Sequence, residues 1–172
     1  MNVSHQVVGY LRSRGLVLTT AESCTAGLIA SMLAEVPGSG ACLDMGFVVY
    51  SPSAKSGFLG VRKETIERYG LTSEEVAREM AEGALAQRAG HASVAVANTG
   101  VADGPPNAHN DDDGPQAGTQ CFAWSYVHDG KVVTESETVV FDGERNDVRG
   151  AAARYALLGI PRFMNDALGR AG

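Results

Sequence analysis

Apolar positions along the chain switch between two periods, and the switches mark the elements. Val3, Val7, Val8 and Leu11 recur at helical spacing, with Gly15 as a stop. Leu16 to Thr20 is a short apolar run and predicts a buried strand. The stripe Leu28, Ile29, Met32 and Leu33 predicts a helix from about Cys24 to Leu33, ended by Val36-Pro37-Gly38-Ser39-Gly40. Phe47-Val48-Val49-Tyr50 is β-branched and aromatic, hence a strand, followed by a turn at Ser51-Pro52. A short helix is expected over Lys63 to Tyr69. A longer one should open on a capping box, with Thr72 as N-cap and Glu75 three residues on, and close near Ala89-Gly90.

Ser93 to Ala97 reads as another buried strand, and Thr99 to Ala117 as a long irregular segment rich in Gly, Pro, Asn and Asp. Thr119–Val127 and Lys131–Phe141 predict a hairpin turning at His128-Asp129-Gly130. A last helix follows from about Asn146 to Leu158, with Pro161 kinking or restarting it toward Leu168. The order α-β-α-β-α-α-β-β-β-α predicts an α/β fold. Its expected form is three layers, α/β/α, around a mixed sheet of parallel strands plus a C-terminal hairpin. The 172 residues suffice for one domain, and no repeat or linker marks a second.

Composition narrows the partner rather than the fold. Net charge is −6, and no Lys/Arg cluster exceeds two residues, so a nucleic-acid partner is not expected and a small molecule is. No run approaches the roughly 20 apolar residues a membrane helix needs, and the N-terminus lacks a signal-peptide pattern. Cys24, Cys42 and Cys121 are odd in number and form no C-x-x-C pair, which fits reduced thiols in a cytoplasm. Asp111-Asp112-Asp113 lacks calcium-loop spacing and reads as a solvated acidic loop, so no metal is expected.

Chemistry concentrates at Thr20-Ala21-Glu22-Ser23-Cys24-Thr25-Ala26-Gly27, where a strand feeds a helix. Such a turn aims backbone N–H groups at one spot, and those near Thr25, Ala26 and Gly27 are expected beside the Ser23 hydroxyl. They can hold an oxyanion or a phosphate; equally, Ser23 or Thr25 can be a simple N-cap. Cys24 is a competing nucleophile whose alternative fate is burial. A nucleophilic serine needs a base. His5, His91 and His128 are placed at surface positions, His109 stays open, and Lys55 is the other route because burial eases loss of its proton. Arg145 and Arg149 stand four apart on one helix face. They can grip a phosphate, or form salt bridges with Asp142, Glu144 or Asp147.

Together these segments resemble the CinA C-terminal domain family, also found as a stand-alone nicotinamide-nucleotide amidohydrolase. Thr20 to Gly27 is similar to the family's T-A-E-S-C-T-G-G. The likeness continues through Val36-Pro37-Gly38-Ser39, Val49-Tyr50-Ser51 with Ala54-Lys55, Thr99-Gly100-Val101-Ala102, Gly118-Thr119 and Phe141 to Arg145. The resemblance implies deamidation of nicotinamide mononucleotide to nicotinate mononucleotide and ammonia, without cofactor or metal. It makes Ser23 the nucleophile, Lys55 its base and Tyr50 an assisting hydroxyl. Thr99, Gly100, Arg145 and Arg149 would line the nucleotide pocket, and Glu22, Thr25, Gly27 and Ser39 would border the substrate. The alternative is a non-catalytic or altered-specificity relative that binds another small ligand in the same pocket. A homo-oligomer, by default a dimer, is expected. The chain departs from the family pattern at Ala26, at Pro52, and across 103–117, where a lysine is lost and three aspartates are gained.

Overall fold

The structure is a computed structural model that describes residues 2–104 and 114–170. Five strands form one mixed sheet: β1 (Leu18–Glu22), β2 (Leu43–Val48), β3 (Val94–Gly100), β4 (Thr119–His128) and β5 (Lys131–Val140), in the order β2-β1-β3-β4-β5. β2, β1 and β3 run parallel, whereas β4 and β5 are antiparallel additions joined by the expected hairpin. The helices are α1 (Val3–Ser13), α2 (Leu28–Ala34), α3 (Pro52–Leu59), α4 (Lys63–Tyr69), α5 (Glu74–Gln87) and α6 (Arg145–Arg170).

The sheet has two unlike faces because side chains alternate along each strand. On β4, Phe122, Trp124 and Tyr126 point toward α1, α2 and α6 and join one core, with Val7, Leu11, Ile29, Leu33, Leu157 and Phe163. Cys121 and Ala123 point the other way, where Ala21, Ala95 and Ala97 make a flat floor for Val76, Met80 and Ala84 of α5. Small residues let α5 lie close. Gly83 lets α3 join it, since a Cβ there would stand 1.9 Å from the Leu59 carbonyl oxygen. The expected three-layer α/β/α architecture is therefore present, with helices on both faces.

Several boundaries differ from the sequence reading. α3 occupies the stretch read as a turn: Ser51 caps it by accepting from the Ala54 N–H, and Pro52 sits in the first turn, where a missing donor costs nothing. Its end is Gly60, in the left-handed region at φ 70°. The cap of α5 is Ser73, not Thr72, its hydroxyl accepting from the Val76 N–H. α6 does not restart at Pro161 but continues through it. The Trp124 indole N–H donates to the Ala156 carbonyl at 2.9 Å, one turn before the proline. Cys24, Cys42 and Cys121 are free and buried. Among the described residues no helix is long and apolar enough to cross a membrane. The Asp111–Asp113 loop and His109 lie outside the described residues.

The topology fixes where a ligand fits. The connection after β1 carries α2 on one face, while the connection between β2 and β3 carries α5 on the other. β1 and β3 are neighbours in the sheet, and from their shared end the chain goes on to β2 on one side and to β4 on the other. A crevice at the carboxyl ends of such strands is the usual ligand position in an open α/β sheet. Ser23 follows β1 at that end, and Asn98 to Gly100 close β3 beside it.

Candidate active site

The turn Ser23 to Gly27 is not the first turn of a helix. Ala26 and Gly27 both take positive φ, 47° and 96°, which no α-helix permits, so α2 begins only at Leu28. Glu22, the last residue of β1, is fully buried and folds its carboxylate back under that helix. One oxygen accepts from the Thr25 hydroxyl at 2.8 Å and from the N–H groups of Gly27 and Ile29 at 3.1 and 2.9 Å. The other accepts from the Thr20 hydroxyl at 3.0 Å and the Ala30 N–H at 3.1 Å. Gly27 has no side chain with which to cap α2, so Glu22 supplies the cap from the strand.

These bonds correct the expected cradle of N–H groups beside Ser23. Thr25 N–H donates to the Asn98 side-chain oxygen at 3.1 Å, Ala26 N–H to the Ser23 carbonyl at 3.0 Å, and Gly27 N–H to Glu22. All three are spent within the protein. The neighbouring N–H groups of Ser23 and Leu28 are likewise engaged, on the carbonyls of Asn98 and Thr25. Only that of Cys24 has no acceptor among the described residues.

Lys55 comes to Ser23 from α3. It is 1 % exposed, and its Nζ donates to Ser23 Oγ at 2.8 Å and to the carbonyls of Val49 and Tyr50 at 3.0 Å each. An ammonium has three N–H bonds, and here each has one acceptor. Among the described residues no carboxylate pairs with it, and burial pushes its pKa down to about 8 from 10.5. The two carbonyls can only accept. When Lys55 loses a proton its remaining N–H bonds stay on them, and the lone pair is left facing the serine, whose hydroxyl can then donate. The arrangement is a nucleophile and base within hydrogen-bond reach, ready to exchange one proton. His5, His91 and His128 are exposed.

The other expected residues divide into three groups. Arg149 belongs to the scaffold: its Nε and Nη2 donate to the carbonyls of Cys24 and Thr25 at 2.9 and 3.4 Å, and its Nη1 to Asn146 at 3.1 Å. Thr99 is buried too, with its hydroxyl on the Leu71 carbonyl at 2.9 Å. Gly100 makes room for Gln120, whose side-chain amide would lie 2.3 to 2.5 Å from any Cβ there. At the open rim, Arg145 donates to Asp103 at 2.6 Å and to the Tyr50 hydroxyl at 3.1 Å, not to Asp142, Glu144 or Asp147. Tyr50 thus reaches Lys55 through its carbonyl, while its phenol stands on Arg145. Ser39 is apart from the rest, in a 3₁₀ turn before β2, at the sheet end away from Ser23.

Two buried side chains that sequence reasoning missed steady the turn. Asn98 accepts from Thr25 N–H and donates to Gln120 Oε1 at 2.9 Å. Gln120 in turn donates to the Val101 carbonyl at 3.2 Å and lies 3.5 Å from the Cys24 sulfur. Both are fully buried. The available signal was a lone amide in each of two strands that otherwise read as apolar or small, since buried amides persist only where their hydrogen bonds are met.

Comparison with known proteins supplies a family for this geometry. The sequence profile of the CinA C-terminal domain matches residues 1–164. The chain is 41 % identical over 157 residues to the nicotinamide-nucleotide amidohydrolase PncC of Escherichia coli strain K12, covering 91 % of this chain and 90 % of that protein. It is 46 % identical over 153 residues to a CinA-like protein of Chlorobium phaeobacteroides, covering 84 % of this chain but 33 % of that longer one. The fold matches the crystal structure of a competence-damaged protein (CinA) superfamily protein from Escherichia coli, with TM-score 0.81 at 35 % identity over 94 % of this chain and 88 % of that one. It also matches the competence/damage inducible protein CihA from Agrobacterium tumefaciens, with TM-score 0.80 at 36 % identity over 93 % and 92 %.

Proposed function

Starting from the fact that the chain belongs to the CinA C-terminal domain family, we propose that it is an amidohydrolase that releases ammonia from the carboxamide of nicotinamide mononucleotide by a serine–lysine mechanism. The observation that carries this reading is the buried Lys55 Nζ, 2.8 Å from Ser23 Oγ, with a pKa brought near 8 by burial. The choice of substrate follows the relatives named nicotinamide-nucleotide amidohydrolase, whose name supports this reading.

The neutral Lys55 takes the Ser23 proton as Oγ bonds to the amide carbon. The C=O electrons move to oxygen, and the oxyanion takes the Cys24 N–H, the donor that the turn leaves unused. Lys55 then passes its proton to the amide nitrogen, the C–N bond breaks, and ammonia leaves an acyl ester on Ser23. Water, deprotonated by Lys55, attacks that ester; the proton returns to Oγ and the carboxylate departs. No metal or redox partner enters the balance. In this assignment Arg145, at the rim, receives the phosphate. Glu22, Thr25, Gly27, Arg149, Thr99 and Gly100 shape the turn and its surroundings from inside.

Ammonia release from nicotinamide mononucleotide tests the reading directly. Wild-type protein should turn the substrate over at a rate that rises with pH through about 8, as Lys55 loses its proton. Ser23→Ala and Lys55→Met should each lower kcat by on the order of 10³-fold or more. Turnover that survives Ser23→Ala would overturn the serine mechanism, and no turnover by the wild type would overturn the substrate.

A further inference from the structure

Arg145 reaches the rim of the crevice with a partner already in place. Its Nη1 holds Asp103 Oδ1 at 2.6 Å while Nη2 holds the Tyr50 hydroxyl at 3.1 Å, and both members of the charged pair are about half exposed. The other cations near Ser23 are committed inward: Lys55 has its three acceptors, and Arg149 spreads its fork over two backbone carbonyls and Asn146. Asp103 lies three residues beyond the end of β3 and is the first residue of the 103–117 segment, where the chain departs from the family pattern. A carboxylate presents two coplanar oxygens to a guanidinium, much as a phosphate does. The half-exposed pair is also of the kind that contributes little stability, so an incoming anion can displace it.

We propose that Asp103 is a built-in competitor that occupies the phosphate position on Arg145 and sets how tightly phosphorylated ligands bind. This rests on the reading of Arg145 as the phosphate-facing residue. A phosphate monoester carries about 1.5 to 2 negative charges at neutral pH, against one on the carboxylate. It can therefore replace Asp103 where a singly charged or neutral ligand cannot. Asp103 thus lowers the affinity of every phosphorylated ligand, which must displace it and then bear its residual repulsion. Unphosphorylated nucleosides do not meet this barrier.

Calorimetric titration at fixed ionic strength separates the possibilities, with inorganic phosphate, nicotinamide mononucleotide and nicotinamide riboside as probes. Asp103→Asn should bind the first two on the order of tenfold more tightly than wild type, with the riboside unchanged. Asp129→Asn removes the same charge from the hairpin at the far end of the sheet, where the side chain is 87 % exposed, and should change nothing. The gain should vanish in an Arg145→Gln background. Equal affinity of Asp103→Asn and wild type overturns the inference, as does no phosphate binding by either protein. So does an equal shift for the riboside, or a gain that persists without Arg145. Loss of the amidase reading with the Asp103→Asn gain intact refutes only the proposed reaction. An active wild type with no such gain refutes only this inference.

Discussion

At Ala26 the sequence accepts strain that a single atom creates. The residue sits at φ 47°, where a Cβ crowds its own backbone, and it occupies the place of the first glycine in the family's T-G-G. The left-handed turn is nonetheless obligatory, because it turns the chain back so that Gly27, Ile29 and Ala30 can present their N–H groups to Glu22. Ala26→Gly removes the crowding but gives the unfolded chain more freedom, and the two effects oppose each other. Strain in this region costs roughly 1–2 kcal/mol and the added freedom roughly 0.5–1 kcal/mol. Ala26→Gly should therefore raise the stability by about 0.5–1 kcal/mol, read as a higher urea midpoint with an unchanged slope. A lower midpoint would mean that the methyl group contributes packing that outweighs the strain.

Helix α2 depends on one carboxylate outside it. Both oxygens of Glu22 accept, and the donor to the second includes the Ala30 N–H, which cannot reverse its role. Glu22→Gln keeps the shape but puts an NH₂ against one set of N–H donors. The cost should be about 2–4 kcal/mol, with amide exchange quickening first over residues 27–31. Unchanged protection there would show that α2 does not need the cap. How much of this was legible in the sequence depends on what each side chain was doing. The strand-then-turn around Ser23 was readable because the apolar run Leu16 to Leu18 leads into a stretch of small residues. α3 was not, because its buried positions are Lys55 and Leu59. One turn of its inward stripe is taken by the residue that serves the site, so the hydrophobic period is broken where the chemistry lies. β2 was displaced toward its C-terminal end for a related reason. The apolar run Val48 to Tyr50 suggested a strand, yet Val49 and Tyr50 lie beyond it and turn their carbonyls to Lys55. The cradle expected from a helix start failed because each of those N–H groups has its own acceptor inside the protein: the Asn98 amide, the Ser23 carbonyl and the Glu22 carboxylate.

The whole molecule bears the consequence of burying Lys55 with no counter-ion among the described residues. Its ammonium is harder to hold in the folded chain than in the unfolded one, which is why its pKa falls to about 8 from 10.5. Below about pH 8 both states carry the proton, and folding bears the full penalty, on the order of 3 kcal/mol. Between about 8 and 10.5 the folded protein has lost the proton and the unfolded chain keeps it. Unfolding then takes up a proton, so stability rises with pH across that window. Above 10.5 both states are neutral and the penalty is gone. Lys55→Met has no such proton, so it isolates the contribution from every other titrating group. The stability of wild type relative to Lys55→Met should climb by about 3 kcal/mol between pH 7.5 and 10.5, measured by urea unfolding at each pH. A flat difference would mean that the lysine is as easily charged inside as outside, and it would remove the physical basis for a base at this position. The same climb would place the proton-accepting form of Lys55 in the range where the rate of ammonia release should rise. Stability and catalysis would then report one titration from opposite sides.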